Sequence, residues 1–532
     1  MIPKSKHAPL APQEWLFLAL VIAGWSLFVC ALGKDMSWDF RNYHWYAPYA
    51  FLNDRLGFDL AVSHHATYYN PLLDVPFYWL ATHTRAWVAL ATLGAVQGAN
   101  IIPLYLIARS LFLIEERKLI AGAVSLVCMT GGLTISLAGT TYYDNVLSVA
   151  ILSGLALLIT QRDVLDGGPL VKGALIAALA GFVTGMAAGL KLPMAPYTIG
   201  FAAALAVLPG DAKHRSVRLI AGGMGGVLGV AIFAGYWWLK MDHLTGNPLF
   251  PYFNDYFHSP LTGDATFRDT RFLPDNLKQA LLYPFLFSID WRVANDLPFH
   301  DIRVGLAYVA VIVTLPFTIF RLHARKGLVS IDAATALFAF AGVSYTVWVS
   351  LFAIYRYILT LEMLAPIVIV AAIALWPVSR PIRLCTMGII LILAVMNTRG
   401  GILDRAPLDE PYVQVTLPPI EHPRHTMILM TGEAPMGFIV PELPPEIPVL
   451  RIDGWLVQPK DGSVLTRDAM KRVAAFTGDI FLIANPYEMG RARDALTDYD
   501  LSIDWLGCRD IETNLGGPYR FCPVERGAEE IP

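Results

Sequence analysis

Residues 15–33, WLFLALVIAGWSLFVCALG, run directly into residues 34–49, KDMSWDFRNYHWYAPY. The first segment carries no charge, and at about 1.5 Å per residue it is long enough to cross roughly 30 Å of hydrocarbon. The second sets Asp35, Asp39, a Tyr43-His44 pair and a band of aromatic rings where a membrane helix meets water. Aromatic rings favour that level, and ionisable groups there avoid the cost of entering hydrocarbon. Chemistry on a lipid-borne substrate needs this location, because the reacting headgroup lies at the interface while its tail stays in the bilayer.

The rest of the chain agrees. Of 532 residues, 55% are apolar or aromatic and only 16% are charged, with mean hydropathy +0.50. That balance implies a polytopic α-helical membrane protein. The net charge of -3 hides an uneven distribution, sparse within apolar runs and crowded into the joints between them. No basic stripe or arginine-rich tract exists, which argues against nucleic acid as a partner.

Runs able to cross a bilayer fall at 15–33, 86–108, 119–138, 143–161, 171–190, 193–208, 217–239, 302–321, 331–353, 357–376 and 382–397, giving about eleven spans. The 193–208 run is short and begins at a proline, as a half-span or tilted segment would. Arg109, Arg117 and Lys118, then Arg162 and Lys172, then Lys213, Arg215 and Arg218, then Arg321, Arg325 and Lys326, then Arg380 and Arg383 occupy alternate joints. With Lys4 and Lys6 they place the N-terminus on the cytoplasmic side of a bacterial inner membrane. Loops 34–70 and 241–301, the turns at Asp144 and Lys191, and residues 401–532 then lie outside. The first run lacks a small-x-small cleavage site and reads as a retained anchor.

Residues 401–532 change character. Short β-rich runs at Thr426–Met430, 449–452, 480–484, 501–505 and 519–522 alternate with helix-like stretches at 467–476 and 489–496, which predicts a small extracytoplasmic α/β domain. Met430 to Gly437, MTGEAPMG, follows a strand but lacks the glycine spacing of a nucleotide loop. Cys508 and Cys522 are placed to pair in an oxidising compartment, whereas Cys30, Cys128 and Cys385 lie in spans. No internal repeat is visible, which weakens an inverted-repeat transporter reading.

The candidate site gathers on the outer side. Phe40, Tyr43, Ala47, Ala50 and Phe51 recur at helical spacing, as in a short helix lying in the interface, with Asp39 at its start. Asp144 sits in TTYYDN beside Tyr143, where a carboxylate could equally serve a helix N-terminus. Lys191 in GLKLP and Arg356 in YRYILTLEMLAP stand at helix ends, where cations often only snorkel. Together these residues predict a cavity with acids on early loops and cations on later helices, fit to deprotonate an acceptor and neutralise a departing phosphate. Glu362 lies within a span, so it is functional or paired with a cation of a neighbouring helix. His64 and His65 read as members of a solvated loop, and Asn70-Pro71 as a helix cap.

Asp39-x-x-x-Tyr43-His44, Tyr143-Asp144, Gly189-Leu-Lys-x-Pro193 and Arg356-Tyr357 before Pro366 follow one another in an order that resembles the GT-C superfamily of integral membrane glycosyltransferases. The pattern is most similar to bacterial members related to protein mannosyltransferases and lipid A aminoarabinose transferases. The resemblance implies a polyprenyl-phosphate-linked sugar as donor, inverting transfer to a glycan, lipid or protein acceptor, and Asp39 as general base. It also implies Asp144 in support of acceptor or metal; Lys191 and Arg356, by charge and by the planar fork of Arg, would hold the donor phosphate. Tyr43, His44, Tyr143 and Glu362 would line the substrate. No adjacent Asp-Glu pair stands in the first loop and no Trp-Trp-Asp in the tail, which argues against an oligosaccharyltransferase. Carboxylates from two turns are able to share a divalent metal ion, but the sequence does not require one. A lipid-linked sugar flippase and an oligosaccharide ligase or polymerase remain as alternatives. A flippase would want polar groups on both sides of the membrane.

Overall fold

The computed structural model describes residues 9–263, 267–320, 322, 327–401 and 403–527. Lys4, Lys6, Arg321, Arg325 and Lys326, used in the charge argument, and Ile402, near the start of the tail, lie outside them. Apolar segments close their backbone hydrogen bonds internally, since hydrocarbon offers no partner. Six helices among the described residues are long and apolar enough to cross a membrane: Pro12–Leu32, Ala86–Leu111, Leu170–Leu190, Ala212–Thr245, Ile331–Leu351 and Tyr355–Ala374. Shorter apolar helices at Asp144–Thr160, Leu192–Val207, Leu277–Ile289 and Arg303–Ile319 accompany them. The 119–138 run divides into Arg117–Cys128 and Gly132–Ser136, and the 86–108 run breaks into Ala86–Gly98 and Ile101–Leu111.

Every residue of Leu359–Ala374 is buried, so this helix runs through the middle of the bundle. By contrast Leu20, Leu27, Val227 and Leu239 face outward, an apolar surface that suits lipid better than water. Helices Leu170–Leu190 and Ala212–Thr245 approach through glycines. A Cβ on Gly185 would strike the carbonyl of Gly226, and one on Gly181 that of Gly222. Small residues let helix backbones pack this closely. The contact fixes the end of Leu170–Leu190, and with it Lys191.

The cationic joints share one end of the bundle. Arg380 pairs with Glu116 at 3.0 Å, Arg109 and Lys118 with Glu14 at 2.9 and 3.1 Å, and Phe112 bridges to Val329. The C-terminal sheet sits at the other end. Strands β1 (Lys34–Asp35) and β2 (Arg405–Ala406) pair antiparallel and tie the first connection to the start of the tail. Strands β3 (Val415–Thr416), β4 (Thr426–Met430), β5 (Val449–Arg451), β6 (Asp479–Ala484), β7 (Leu501–Ile503), β8 (Arg509–Thr513) and β9 (Tyr519–Arg526) form a mixed sheet in the order β3-β8-β9-β6-β4-β5, with β7 also on β9. Within it β5, β4 and β6 are parallel and β9 is antiparallel to β6. Cys508, immediately before β8, and Cys522, within β9, form a disulfide.

The tail is not a free-standing module. Phe40, Tyr46, Leu90 and Tyr143 share one core with Tyr412, Ile428, Phe438, Val449 and Tyr519. The first connection continues the sheet: Leu60 N–H donates to Val449 O at 3.0 Å and Arg451 N–H to Leu60 O at 2.9 Å. Arg55 holds both oxygens of Asp59 at 2.6 and 2.7 Å and donates to the carbonyls of Pro445 and Ile447, while Asp59 accepts from Val449 N–H. The expected interfacial helix around Phe40 to Phe51 exists as a π-turn, Phe40–His44, followed by Tyr46–Leu52. It does not lie on a lipid surface. Phe40, Ala47 and Ala50 are buried, because the tail covers the face the sequence pattern assigns to lipid.

Candidate functional site

The site forms where the first connection, two short turns and the start of the central helix meet. Asp39 immediately precedes the π-turn, an uncommon geometry that recurs at functional sites. The turn sets Tyr43 over Asp39, and the Tyr43 hydroxyl donates to Asp39 Oδ2 at 3.2 Å. Arg356 lies in the 3₁₀ turn Tyr355–Ile358 that opens the central helix. Its Nη1 donates to the same Asp39 Oδ2 at 3.2 Å. Both contacts fall on one carboxylate oxygen, so neither engages Oδ1.

The second pair stands beside the first. Lys191, in the turn after Leu170–Leu190, donates to Asp144 Oδ1 at 2.7 Å and to Tyr142 O at 2.9 Å. Asp144 opens helix Asp144–Thr160 straight after Tyr143, whose φ is 61°. A bulky residue in the left-handed region is strained and persists only where its surroundings dictate it. They do so here. Asp35 Oδ2 accepts from Thr141 N and Oγ1 at 2.8 and 3.0 Å, and the ring of His44 meets that of Tyr143 edge-on at 5.4 Å.

Tyrosines join the two pairs. The guanidinium of Arg356 lies 4.7 Å from the Tyr142 ring centre and 5.3 Å from that of Tyr357. The Lys191 ammonium is 5.3 Å from the Tyr357 ring. Arg356 feels both Asp39 and Asp144, and Lys191 feels Arg356 and Asp39, so the four charges act as one group. Burial pulls the Lys191 ammonium below its usual range, against the opposing pull of Asp144. The carboxylate of Asp39 and the side chain of Arg356 keep 17% and 22% of their surface open. Asp144 Oδ2 and Arg356 Nε are buried with no hydrogen-bond partner among the described residues. The group therefore has an acceptor and a donor left to satisfy.

Four predicted residues, Asp39, Asp144, Lys191 and Arg356, thus converge, and Tyr43 joins them. His44 and Tyr143 stand one layer behind. His44 Nδ1 is 2.6 Å from Asp74 Oδ1, and Tyr143 also faces Asp74, whose carboxyl is raised by burial against the pull of His44. Glu362 is elsewhere. It accepts from Leu133 N, Thr134 N and Thr134 Oγ1 at 3.2, 2.9 and 2.7 Å, next to the buried Asp301–Arg303 pair at 2.8 Å. It caps the short helix Gly132–Ser136 and holds the turn that leads to Tyr142, so its role is positional, at a distance from the Asp39 group in the hydrogen-bond network. The cation near it, Arg303, offsets the charge of this buried carboxylate.

Sequence reasoning missed Asp74, Tyr69 and Tyr252. Tyr69 meets Tyr43 edge-on at 5.6 Å and its hydroxyl bonds that of Tyr252, bringing the 241–301 loop to the site. The Asp74 signal was an acid three residues past Pro71, just before an apolar helix. His64 and His65 are not a solvated loop: His64 is fully buried, and both rings stack on Trp455. Asn70 does cap a turn beginning at Pro71, accepting from Leu72 N at 3.1 Å. Among the described residues no three His, Cys, Asp or Glu side chains are grouped to hold a metal ion, and each carboxylate of the site already has a cation of the chain beside it. Compared with known protein families, curated proteins and solved structures, the chain finds no match.

Proposed function

We propose that this chain is an inverting membrane glycosyltransferase of the GT-C type, moving a sugar from a polyprenyl-phosphate donor to an acceptor hydroxyl. In this reading about eleven segments cross a bacterial inner membrane, the N-terminus is cytoplasmic, and the sheet-bearing end is extracytoplasmic. The observation that carries it is the pairing of Asp39 with Arg356 at 3.2 Å beside Asp144 with Lys191 at 2.7 Å, with Asp39, Arg356 and Lys191 each partly open.

Inverting transfer makes one bond and breaks one at the anomeric carbon. The acceptor oxygen attacks, its proton passes to Asp39, and the bond to the phosphate oxygen breaks with its electron pair. Oδ1 of Asp39 is the oxygen left for that proton, since Tyr43 and Arg356 both hold Oδ2. The departing polyprenyl phosphate gains charge. Arg356 offers it a planar fork with Nε unspent, and Lys191 adds a point charge. The carboxylates also lie where positive charge builds on the sugar ring. A lipid-linked sugar flippase is disfavoured because the two acid–cation pairs suited to a sugar phosphate stand together at the sheet-bearing end.

The test is turnover of a polyprenyl-phosphate sugar by the purified chain in proteoliposomes. Asp39→Asn keeps size and hydrogen bonding but cannot take the proton, so turnover drops at least a hundredfold with the melting temperature held. Normal turnover in that variant removes Asp39 as base.

A further inference from the structure

The carboxyl ends of β4, β5 and β6 point toward the first connection and carry groups that the transfer step does not use. Open parallel sheets bind ligands at such ends, where successive loops diverge. Glu433 follows β4, Trp455 lies in the turn after β5, and Arg491 lies in helix Met489–Thr497 after β6. The Glu433 carboxylate accepts from Arg491 at 2.8 Å and from the Trp455 indole, which draws its carboxyl below the usual range.

Over this edge stands a run of near-parallel rings. Trp38 stacks on Trp455 at 4.9 Å and 22°, His64 on Trp455 at 4.9 Å and 27°, and His65 on Trp455 at 5.7 Å and 27°. Phe267 continues the stack beyond His65 at 5.9 Å and 25°. Trp455 is 39% exposed, which is unusual for a tryptophan held in so many contacts. The stack also touches the reaction centre: Trp38 is the chain neighbour of Asp39, and Asp39 acts electrostatically on His65. His65 Nδ1 is buried with no hydrogen-bond partner among the described residues.

We infer that Trp38, Trp455 and His65 wall an acceptor subsite for a saccharide, with Glu433 and Arg491 at its rim. The inference rests on the glycosyltransferase reading and names its acceptor class. A flat aromatic wall buries the C–H face of a sugar ring, while the hydroxyls around the ring's edge reach charged rim groups. A hydrocarbon chain would leave the buried Nδ1 of His65 unmet. A seated saccharide places a hydroxyl beside Asp39 and offers a donor or acceptor to His65.

The test uses the full chain in detergent on an immobilised array of lipopolysaccharide cores, capsular fragments, peptidoglycan fragments and N-glycans. In parallel, native mass spectrometry measures undecaprenyl phosphate bound to the same preparation. Wild type is expected to retain a subset of the glycans, Trp455→Ala to lose at least tenfold of that signal, and Trp455→Phe to recover most of it, with matched melting temperatures. Lipid phosphate bound without any glycan retained, or glycan signal unchanged in Trp455→Ala, overturns the subsite and leaves the transfer reading standing. Trp455-dependent glycan binding by a chain that takes up no lipid phosphate supports the subsite and overturns the donor assignment instead.

Discussion

Replacing Arg356 by Met separates two effects that the site geometry makes unequal. At 3.2 Å from Asp39, the guanidinium has a gross attraction of about 5 kcal/mol at an effective dielectric of about 20. Desolvation and the open faces of both side chains offset most of that, leaving about 1 kcal/mol of folding stability. The transition state is affected more. A departing phosphate beside Tyr142, Tyr357 and Lys191 depends on oriented cationic donors, and loss of one such donor costs about 3 kcal/mol, or roughly a hundredfold in rate. Steady-state transfer in proteoliposomes should show kcat reduced about a hundredfold by Arg356→Met, with the melting temperature lowered by only a few degrees. Arg356→Lys should recover part of kcat, because it restores the charge without the fork. A kcat within threefold of wild type in the Met variant would refute the assignment of phosphate stabilisation to this residue.

Two further outcomes follow from the junction between bundle and sheet. Arg55→Ala leaves the buried Asp59 carboxylate and the carbonyls of Pro445 and Ile447 without their partner, a loss of about 3–5 kcal/mol; limited proteolysis should then cut the tail faster, and an unchanged digestion pattern contradicts the clamp. Burial moves His65 from its ordinary 6.5 down to about 4, so between those values the unfolded chain binds a proton that the folded chain refuses. Stability from this group is complete above pH 6.5 and lost as pH falls toward 4. The gap in melting temperature between wild type and His65→Gln should therefore narrow steadily on acidification through that window, and a constant gap contradicts the buried, neutral ring.

Charge placement was the most legible part of the sequence. Asp39, Asp144, Lys191 and Arg356 stood out because ionisable residues are costly at the margins of apolar runs, and the structure joins them through the Asp39–Arg356 and Asp144–Lys191 pairs. Five strands of the tail sheet were legible from local pattern, as Thr426–Met430, an apolar run bounded by turn residues, is β4, whereas the two-residue β3 and the charged β8 (Arg509–Thr513) were not. What could not be read depends on distant partners. Leu60 and Val449 are far apart in sequence and neither neighbourhood has a period that announces the pairing, so the first connection looked like a lipid-facing helix and a solvated loop. Glu362 looked like a pocket residue because a buried acid needs a partner, but composition does not reveal that Thr134 and Arg303 supply it. The glycines at 185 and 226 pass as ordinary membrane-helix residues until the two helices are seen in contact.

The central claim is that one pocket, built from early acids and later cations, holds a polyprenyl phosphate. Native mass spectrometry of the purified chain in mild detergent, titrated with undecaprenyl phosphate, addresses it most directly. The account predicts saturable binding of one lipid phosphate per wild-type chain and its loss in the Lys191→Met, Arg356→Met double variant. Equal retention by wild type and double variant, or no retention by either, contradicts it.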